Sequence, residues 1–300
     1  MRSAGAFVRL VRARLSAELR AGIFADRTRL SPRAVDFLRP GRPVTIAVMP
    51  SHRTAAALAL ALLARAAAGG DAPQTPAVES VGDRTQIMRG DLAGRVPLAS
   101  LRELKHLYAV GPVAGLRGEV TVLDGTPHVS VLDADGRPRE LTEDEAWRRS
   151  AIFLAYCDAP KLGEPATLGA VADLAALRPA VERAALAAGV DLDRTPFLVR
   201  VDGLAAELTY HVIWKADDAP HGKAEHQKAK AKFTRRNVPV RLVGFYSRPG
   251  EGRVTHPGNP LHVHVVLPDE AGEGEVSGHV DAIRLEPGAR LRLPTATPSR

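Results

Sequence analysis

The sequence predicts a fold of the α+β or mixed α/β class, with two packed mixed β-sheets and a few short helices. Short apolar runs, many of them alternating with polar residues, recur along most of the chain and indicate strands. Ala- and Leu-rich segments with helical spacing are grouped in the middle of the chain, as in an α+β protein. No internal sequence repeat is visible.

The composition is that of a globular chain that can bury a core. The chain has 300 residues, enough for two domains or one large one, with 45% apolar and 25% charged residues. No apolar run reaches the length of a membrane-spanning helix, about 20 residues. Aromatic residues make up only 4%, which disfavours stacking on nucleic-acid bases, and the single Cys157 excludes a disulfide framework. We predict Cys157 to be a small buried residue rather than a nucleophile.

The net charge of +7 first suggests a nucleic-acid or anionic partner. However, residues 1–48 contain ten arginines and only three acidic residues, which accounts for the whole excess. The rest of the chain has no net charge, and we therefore predict no nucleic-acid partner.

Residues 49–70 have the order of a secretory signal peptide. A basic residue, Arg53, follows Met49, and an apolar run from Ala55 to Ala64 precedes a group of small residues. The alternative is a buried Ala- and Leu-rich helix. If the signal is real, translation starts at Met49, residues 1–48 are an upstream overextension or a disordered basic segment, and the protein is secreted or periplasmic. Otherwise it is cytoplasmic. After removal of the signal we predict no membrane partner.

A Pro-containing linker is predicted at 71–80, a folded domain at 81–293 and a tail at 294–300. In the N-terminal sheet half, 81–195, residues 98–104 suit a short helix capped by Ser100 and Glu103. Asp124-Gly125 predicts a hairpin turn, and residues 151–156 predict a strand. Residues 167–188 predict two short helices that Pro179 separates and that end at Gly189.

The metal-binding half, 196–293, reads as a series of strands, at 197–201, 208–214, 240–246, 261–267 and 276–285. Between two of them lies the basic segment 223–237, which we predict to be a solvated loop. A nucleic-acid role would require interleaved aromatic residues, and the segment contains only Phe233.

The histidines of this half indicate a metal site. His262 and His264 occur as HVHVV on a predicted strand, so both side chains project from one face, about 7 Å apart. His279 begins the next predicted strand, and antiparallel pairing would bring it across from them. Three neutral imidazoles with an open fourth position are typical of a catalytic zinc site. The alternative is three scattered histidines that bind nothing.

A cupin also carries HxH on a strand, but it would need a Glu shortly after the second histidine, where this chain has Leu267 and Pro268. His256 is expected to play a supporting part at best. His211, His221 and His226 show no readable pattern.

Three ordered pieces of the chain, within about 107–293, resemble α-acetolactate decarboxylase, and most closely its exported, uncharacterised relatives. They are LYAVGPVAGLRGEVTVLDG, PFLVRVDG, and VGFYS followed by LHVHVV and SGHVDA. The resemblance implies a two-part fold of mixed sheets, a homodimer, and conversion of 2-acetolactate to acetoin and carbon dioxide without an organic cofactor.

The resemblance also implies the site residues. His262, His264 and His279 would bind Zn²⁺, Glu119 would be a carboxylate near the metal, and Arg200 would orient the substrate. These residue types suit the chemistry, since a Lewis acid stabilises the charge left by decarboxylation and a guanidinium fork binds a carboxylate.

Two departures from the family concern the site. The segment PDEAGEGEVS lengthens the spacing between His264 and His279. The family's second Glu, from a C-terminal segment, has no counterpart, and Glu207 or Glu286 would have to replace it. The alternatives are a lyase for another small hydroxy-keto acid and a zinc-dependent binding protein that has lost catalysis.

Overall fold

The computed structural model describes residues 76–216 and 220–295. The predicted basic segment 1–48 and the predicted signal peptide 49–70 lie outside the described residues, as does most of the predicted tail. The first strand, β1 (Glu79–Val81), begins two residues before the predicted start of the folded domain. Within these two ranges, every helix is too short or too polar to span a bilayer.

Six antiparallel strands form the first sheet, in the spatial order β1-β8-β3-β4-β5-β6. The strands other than β1 are β3 (Leu107–Pro112), β4 (Glu119–Leu123), β5 (Thr126–Leu132), β6 (Pro138–Glu140) and β8 (Leu154–Asp158). A separate short pair consists of β2 (Val96–Pro97) and β7 (Ser150–Ala151). The predicted hairpin is confirmed: Asp124 and Gly125, both with positive φ, form the two-residue turn between β4 and β5.

The second sheet also has six antiparallel strands, in the order β11-β12-β13-β10-β14-β9. They are β9 (Ala166–Thr167), β10 (Phe197–Ile213), β11 (Lys230–Tyr246), β12 (Leu261–Pro268), β13 (Glu275–Leu285) and β14 (Arg290–Arg292). Because β10 pairs with both β11 and β13, strands β10 to β13 close on themselves. A closed sheet of this kind leaves few free edges.

The two faces of the closed part have different partners. Alternate side chains, such as Val263 and Val265, belong to a large apolar cluster. The intervening residues face the first sheet, where Val243 and Phe245 pack with Tyr108 and Val110. The side chains at even-numbered positions of β12 therefore lie in the interface between the two sheets.

The predicted fold class is confirmed, with two large sheets and a few short helices. All the pairings among the described strands are antiparallel. The strands predicted at 197–201 and 208–214 are one strand, β10, which continues through Gly203.

The prediction of a loop at 223–237 is wrong. These residues form helix Lys223–Lys228 and the first part of β11. Acidic side chains accompany the basic residues of this strand, since Arg236 pairs with Glu207 directly opposite on β10 and Lys232 pairs with Asp281 on β13. Lys232 and Arg236 are exposed at alternating positions of this strand. The density of basic residues was therefore not a sign of a loop.

Four α-helices lie in the described residues: α1 (Arg84–Met88), α2 (Glu143–Trp147), α3 (Leu174–Ala187) and α4 (Lys223–Lys228). The predicted division at Pro179 is wrong, because α3 continues through it and ends before Gly189. An internal proline costs about 3 kcal/mol. Full burial of Leu177 and Val181 on one face, about 1.5–3 kcal/mol each, offsets that cost.

Two smaller predictions also need correction. Residues 98–101 form a 3₁₀ turn instead of a helix to 104, and the Ser100 hydroxyl donates to the Pro97 carbonyl instead of capping. The strand predicted at 151–156 is split between β7 and β8.

Cys157 on β8 is buried, as predicted, and burial raises the pKa of its thiol to about 12. At pH 8 the thiolate fraction is therefore about 10⁻⁴, against about 10⁻¹ for an ordinary thiol. We expect iodoacetamide to modify native protein at pH 8 at least about 100-fold more slowly than urea-unfolded protein. Equal rates, followed by mass spectrometry, would contradict the buried position.

Candidate metal centre

A row of histidines crosses three neighbouring strands of the second sheet. His264 on β12 lies directly opposite His279 on β13, which in turn lies opposite His211 on β10. Directly paired residues project from the same face of an antiparallel sheet. His262 is two residues before His264 on β12 and shares that face. The expected position of His279 across from the HxH pair is therefore observed.

The ring centres of His262, His264 and His279 are spaced as around one metal ion, but their ligand atoms do not all lie within 4.8 Å of one another, as those of His256, His262 and His279 do. Their centres are 5.1 Å apart for His262 and His264, 5.1 Å for His262 and His279, and 5.4 Å for His264 and His279. Zinc holds imidazole nitrogens at about 2.0–2.1 Å with tetrahedral angles, which would place the ring centres about 5 Å apart.

The protonation and the free nitrogens of these rings also suit a metal. Burial lowers the pKa of all three imidazoles well below 6.5, so they are neutral at physiological pH. One ring nitrogen in each, His262 Nδ1, His264 Nε2 and His279 Nδ1, is buried and has no hydrogen-bond partner. His264 Nδ1 lies 3.1 Å from Thr121 Oγ1, which leaves Nε2 as the free atom. Buried free nitrogens of this kind are costly without a ligand.

His256, from the loop between β11 and β12, packs against His262 and His279. Its Nε2 lies 3.0 Å from His279 Nε2, and ligand atoms of His256, His262 and His279 all lie within 4.8 Å of one another. Its two ring nitrogens also lie 2.9 and 3.2 Å from the guanidinium of Arg84. Burial, with the charge of Arg84, lowers the pKa of His256 to about 3.

His211 is held by a carboxylate. Its Nδ1 lies 3.0 Å from Oδ1 of Asp281, while the other oxygen of Asp281 lies 3.2 Å from Lys232 Nζ. Burial lowers the pKa of His211, and the ring packs against that of His279 with centres 4.7 Å apart. His211, His279 and Asp281 form a second group whose ligand atoms lie within 4.8 Å.

Glu119 lies at the start of β4, where it faces the histidines. Its Oε1 lies 3.7 Å from His211 Nε2 and its Oε2 lies 3.9 Å from His264 Nε2. The residue is only 3% exposed, and this desolvation raises the pKa of the carboxyl group well above its usual value. A carboxyl group with a raised pKa in a cavity is suited to hold and release a proton.

Gly118 gives Glu119 its position. Its φ is +134°, and a Cβ on it would lie 2.4 Å from the Ser130 carbonyl oxygen. We expect Gly118→Ala to lower the free energy of unfolding by about 2 kcal/mol or more, because it adds both a clash and backbone strain. Gly169→Ala is the matched control, since a Cβ there meets nothing within 4 Å. Equal urea midpoints for the two variants would contradict this role.

These side chains line a small cavity of about 40 Å³. Apolar walls come from Ile87, Pro112, Phe153 and Ile213, and the remaining lining residues are Arg84, Lys230, Glu119 and the histidines at 211, 226, 256, 262, 264 and 279. The volume accommodates an ion and a few water molecules. A small organic acid would require α1 to shift, since Arg84 and Ile87 belong to that helix.

Arg200, predicted to orient the substrate, is not in this cavity. It lies opposite Val243, and Val243 lies opposite His264, so Arg200 shares the face of the histidines but is two strands away. It pairs with Asp202 and lines a separate pocket of about 380 Å³ with Tyr108 and Arg241.

Two cations line the cavity, Lys230 on β11 and Arg84 on α1. The sequence did not indicate Arg84 as a site residue. The residue precedes the part of the chain that resembles a family, and its only signal is the capping box of Asp83 and Gln86 that begins α1. Neither of the predicted replacements for a second glutamate lines the cavity. Glu207 pairs with Arg236 at the surface, and Glu286 is exposed. Asp281 is the second carboxylate beside the histidines.

Comparisons with known proteins agree with this architecture. No protein-family model and no curated protein match the chain. Among solved structures, acetolactate decarboxylase from Bacillus subtilis subspecies spizizenii is 17% identical, with a TM-score of 0.57 over 74% of this chain and 90% of that chain. α-Acetolactate decarboxylase from B. subtilis strain 168 is 17% identical, with a TM-score of 0.58 over 74% and 89%.

A third solved structure, from Staphylococcus aureus, is described as a protein of unknown function similar to α-acetolactate decarboxylase. It is 15% identical, with a TM-score of 0.55 over 72% of this chain and 84% of that chain. Identities this low support a likeness of fold. The chain thus has the fold of the acetolactate decarboxylases.

Proposed function

We propose that the protein is a zinc-dependent carbon–carbon lyase that converts 2-acetolactate to acetoin and carbon dioxide. One observation carries the proposal: three neutral imidazoles from two adjacent strands, two of them buried and that of His279 half-buried, share a cavity with a carboxyl group of raised pKa and a guanidinium. The likeness of fold to acetolactate decarboxylases supports it.

His262, His264 and His279 would hold the metal. His256 is the competitor for the third position, but both its ring nitrogens face the guanidinium of Arg84. A cation there disfavours a second cation, whereas His264 Nε2 is free and its other nitrogen is held by Thr121. His256 is thus better suited to hold Arg84 than to bind zinc.

When bound, zinc would act as a Lewis acid toward the hydroxyl and keto oxygens of the substrate. Loss of carbon dioxide from a 2-hydroxy-3-keto acid leaves an electron pair that the neighbouring carbonyl takes up. Glu119 then donates a proton to the carbon that lost the carboxylate. Ile87 and Phe153, apolar walls of the cavity, would keep bulk water away from this carbon.

Arg84 would bind the substrate carboxylate in place of the predicted Arg200. The residue is half-buried, and this desolvation lowers the pKa of its guanidinium to about 10, so it remains charged at neutral pH. Among the described residues, no carboxylate oxygen lies within 4.0 Å of it. A half-buried cation without a paired anion favours an anionic ligand.

Single substitutions test whether Arg84 or Arg200 binds the substrate carboxylate. We expect Arg84→Gln to lower kcat/KM for 2-acetolactate at least about 100-fold, because two charge-assisted hydrogen bonds of about 1.5–3 kcal/mol each are lost. The matched variant Arg200→Gln should change kcat/KM less than about threefold. A larger loss of kcat/KM in Arg200→Gln than in Arg84→Gln would show that Arg200 binds the substrate carboxylate.

The function is tested by the activity of the full-length protein. Zinc-loaded protein should form acetoin and carbon dioxide from racemic 2-acetolactate, lose turnover on treatment with a chelator, and regain it with zinc. Protein that holds stoichiometric zinc but forms no acetoin would overturn the proposal. Turnover of another hydroxy-keto acid would then indicate a related lyase. No turnover of any such acid would indicate a zinc-dependent binding protein.

A further inference from the structure

The Asp281–His211 pair lies beside the histidines proposed to hold zinc, but it has no part in the chemistry described so far. Asp281 is two residues after His279 on β13, so both project from the same face. His211 lies opposite His279 on β10. The pair is therefore built into the same row of the sheet as the proposed ligands.

Asp281 has two partners, a hydrogen bond to the buried His211 and an ion pair with Lys232, whose side chain is 55% exposed. Oδ1 lies 3.0 Å from His211 Nδ1, and Oδ2 lies 3.2 Å from Lys232 Nζ. His279 Nδ1 is farther away, at 3.8 Å, beyond hydrogen-bond reach. The hydrogen bond to His211 is thus the one that Asp281 makes within the row.

A carboxylate at Nδ1 determines which tautomer a neutral imidazole adopts. A carboxylate only accepts hydrogen bonds, so the proton of His211 must be on Nδ1, and the lone pair is on Nε2. Oε1 of Glu119 lies 3.7 Å from this Nε2, too far for a hydrogen bond in this structure. Contacts between catalytic groups are often this long before substrate binds and shorten afterwards.

We propose that Asp281 and His211 are positioning residues: Asp281 fixes the Nδ1–H tautomer of His211, so that Nε2 presents an acceptor to Glu119 and orients its carboxyl group. The inference rests on the proposed function for its effect on turnover. The tautomer itself does not depend on turnover.

Burial makes the arrangement rigid. The side chains of His211 and Glu119 are each only 4% exposed, and the His211 ring lies between Glu119 and Asp281 while packing on His279. Without its acceptor, the His211 proton would move to Nε2 and point at Glu119. The ring would then donate to the carboxylate form instead of accepting from the acid form.

The tautomer of His211 and the turnover of the enzyme are measured separately. Long-range ¹H–¹⁵N spectra of full-length, zinc-loaded protein, assigned with His211→Gln, should show His211 as the Nδ1–H tautomer. Asp281→Ala should convert it to the Nε2–H tautomer, whereas Asp281→Asn, which keeps an acceptor oxygen, should restore part of the Nδ1–H signal. Lys232→Gln, which removes the other partner of Asp281, is the matched control and should leave the tautomer unchanged.

Kinetics complete the test. Asp281→Ala should lower kcat for 2-acetolactate about 10- to 100-fold with bound zinc and KM nearly unchanged, and Lys232→Gln should stay within about twofold. An Nε2–H tautomer in the wild-type protein, or no change in Asp281→Ala, would overturn the inference. If the wild-type protein has no turnover, the proposed function fails, and the spectra still decide the role of Asp281.

Discussion

His264→Gln is expected to reduce the zinc bound to the full-length protein from about one equivalent to less than about a tenth of an equivalent after dialysis. His264 is fully buried, its Nδ1 is held by Thr121, and its Nε2 has no partner. Loss of one of three protein ligands from a zinc site removes most of its affinity, because binding depends on the complete set. Metal content is measured by atomic emission on the dialysed protein.

His256→Gln is the matched control for this prediction. His256 also lies in the cavity and also packs against His262 and His279, with ring centres 5.7 and 5.1 Å from theirs. Because its nitrogens face Arg84, its loss should leave the zinc content near one equivalent. Zinc retained by His264→Gln and lost by His256→Gln would show that His256, His262 and His279 are the ligands.

Glu119→Gln is expected to lower kcat for 2-acetolactate about 10²- to 10⁴-fold, the usual range for loss of a general acid. Glutamine has nearly the same shape but cannot donate a proton to carbon. Zinc content should not change, and KM should change little, since Glu119 is proposed neither as a ligand nor as the partner of the substrate carboxylate. Single-turnover kinetics on zinc-loaded protein measure the chemical step directly.

A second carboxylate variant serves as the control for Glu119. Glu140 lies on β6, an edge strand of the first sheet two strands from Glu119, where Ser130 donates to it and it lines a different pocket. Glu140→Gln should keep kcat within about twofold of the wild type. Comparable losses in both variants would indicate a general effect on the fold, and full activity in Glu119→Gln would place the proton donor elsewhere.

The fold and the core of the site could be predicted because their signals are local. The Asp-Gly turn, the alternation of His262 and His264, and the strand that begins near His279 depend on residues close together in the sequence. The closure of the second sheet could not be predicted, since it depends on β10 pairing at both of its edges. The predicted break at Pro179 was wrong for a similar reason, because the burial that keeps α3 intact comes from packing against distant strands.

The remaining side chains of the site come from segments without a pattern. Arg84 lies in a five-residue helix and His256 in a loop with Pro257 and Gly258, and only the tertiary fold brings them together. Arg200 is the opposite case, because it has a clear local motif but lies outside the cavity. A strand motif specifies a residue's face, but the number of strands between it and the site depends on the order of the sheet.

Anomalous diffraction at the zinc edge tests the central claim most directly. Crystals of the full-length protein grown with zinc should show one strong anomalous peak within coordination distance, about 2.0–2.1 Å, of one nitrogen each from His262, His264 and His279. The Arg84 guanidinium and Glu119 should lie in the same cavity, beside the ion. No peak in this cavity, or a peak bound by other residues while these three remain free, would contradict the account.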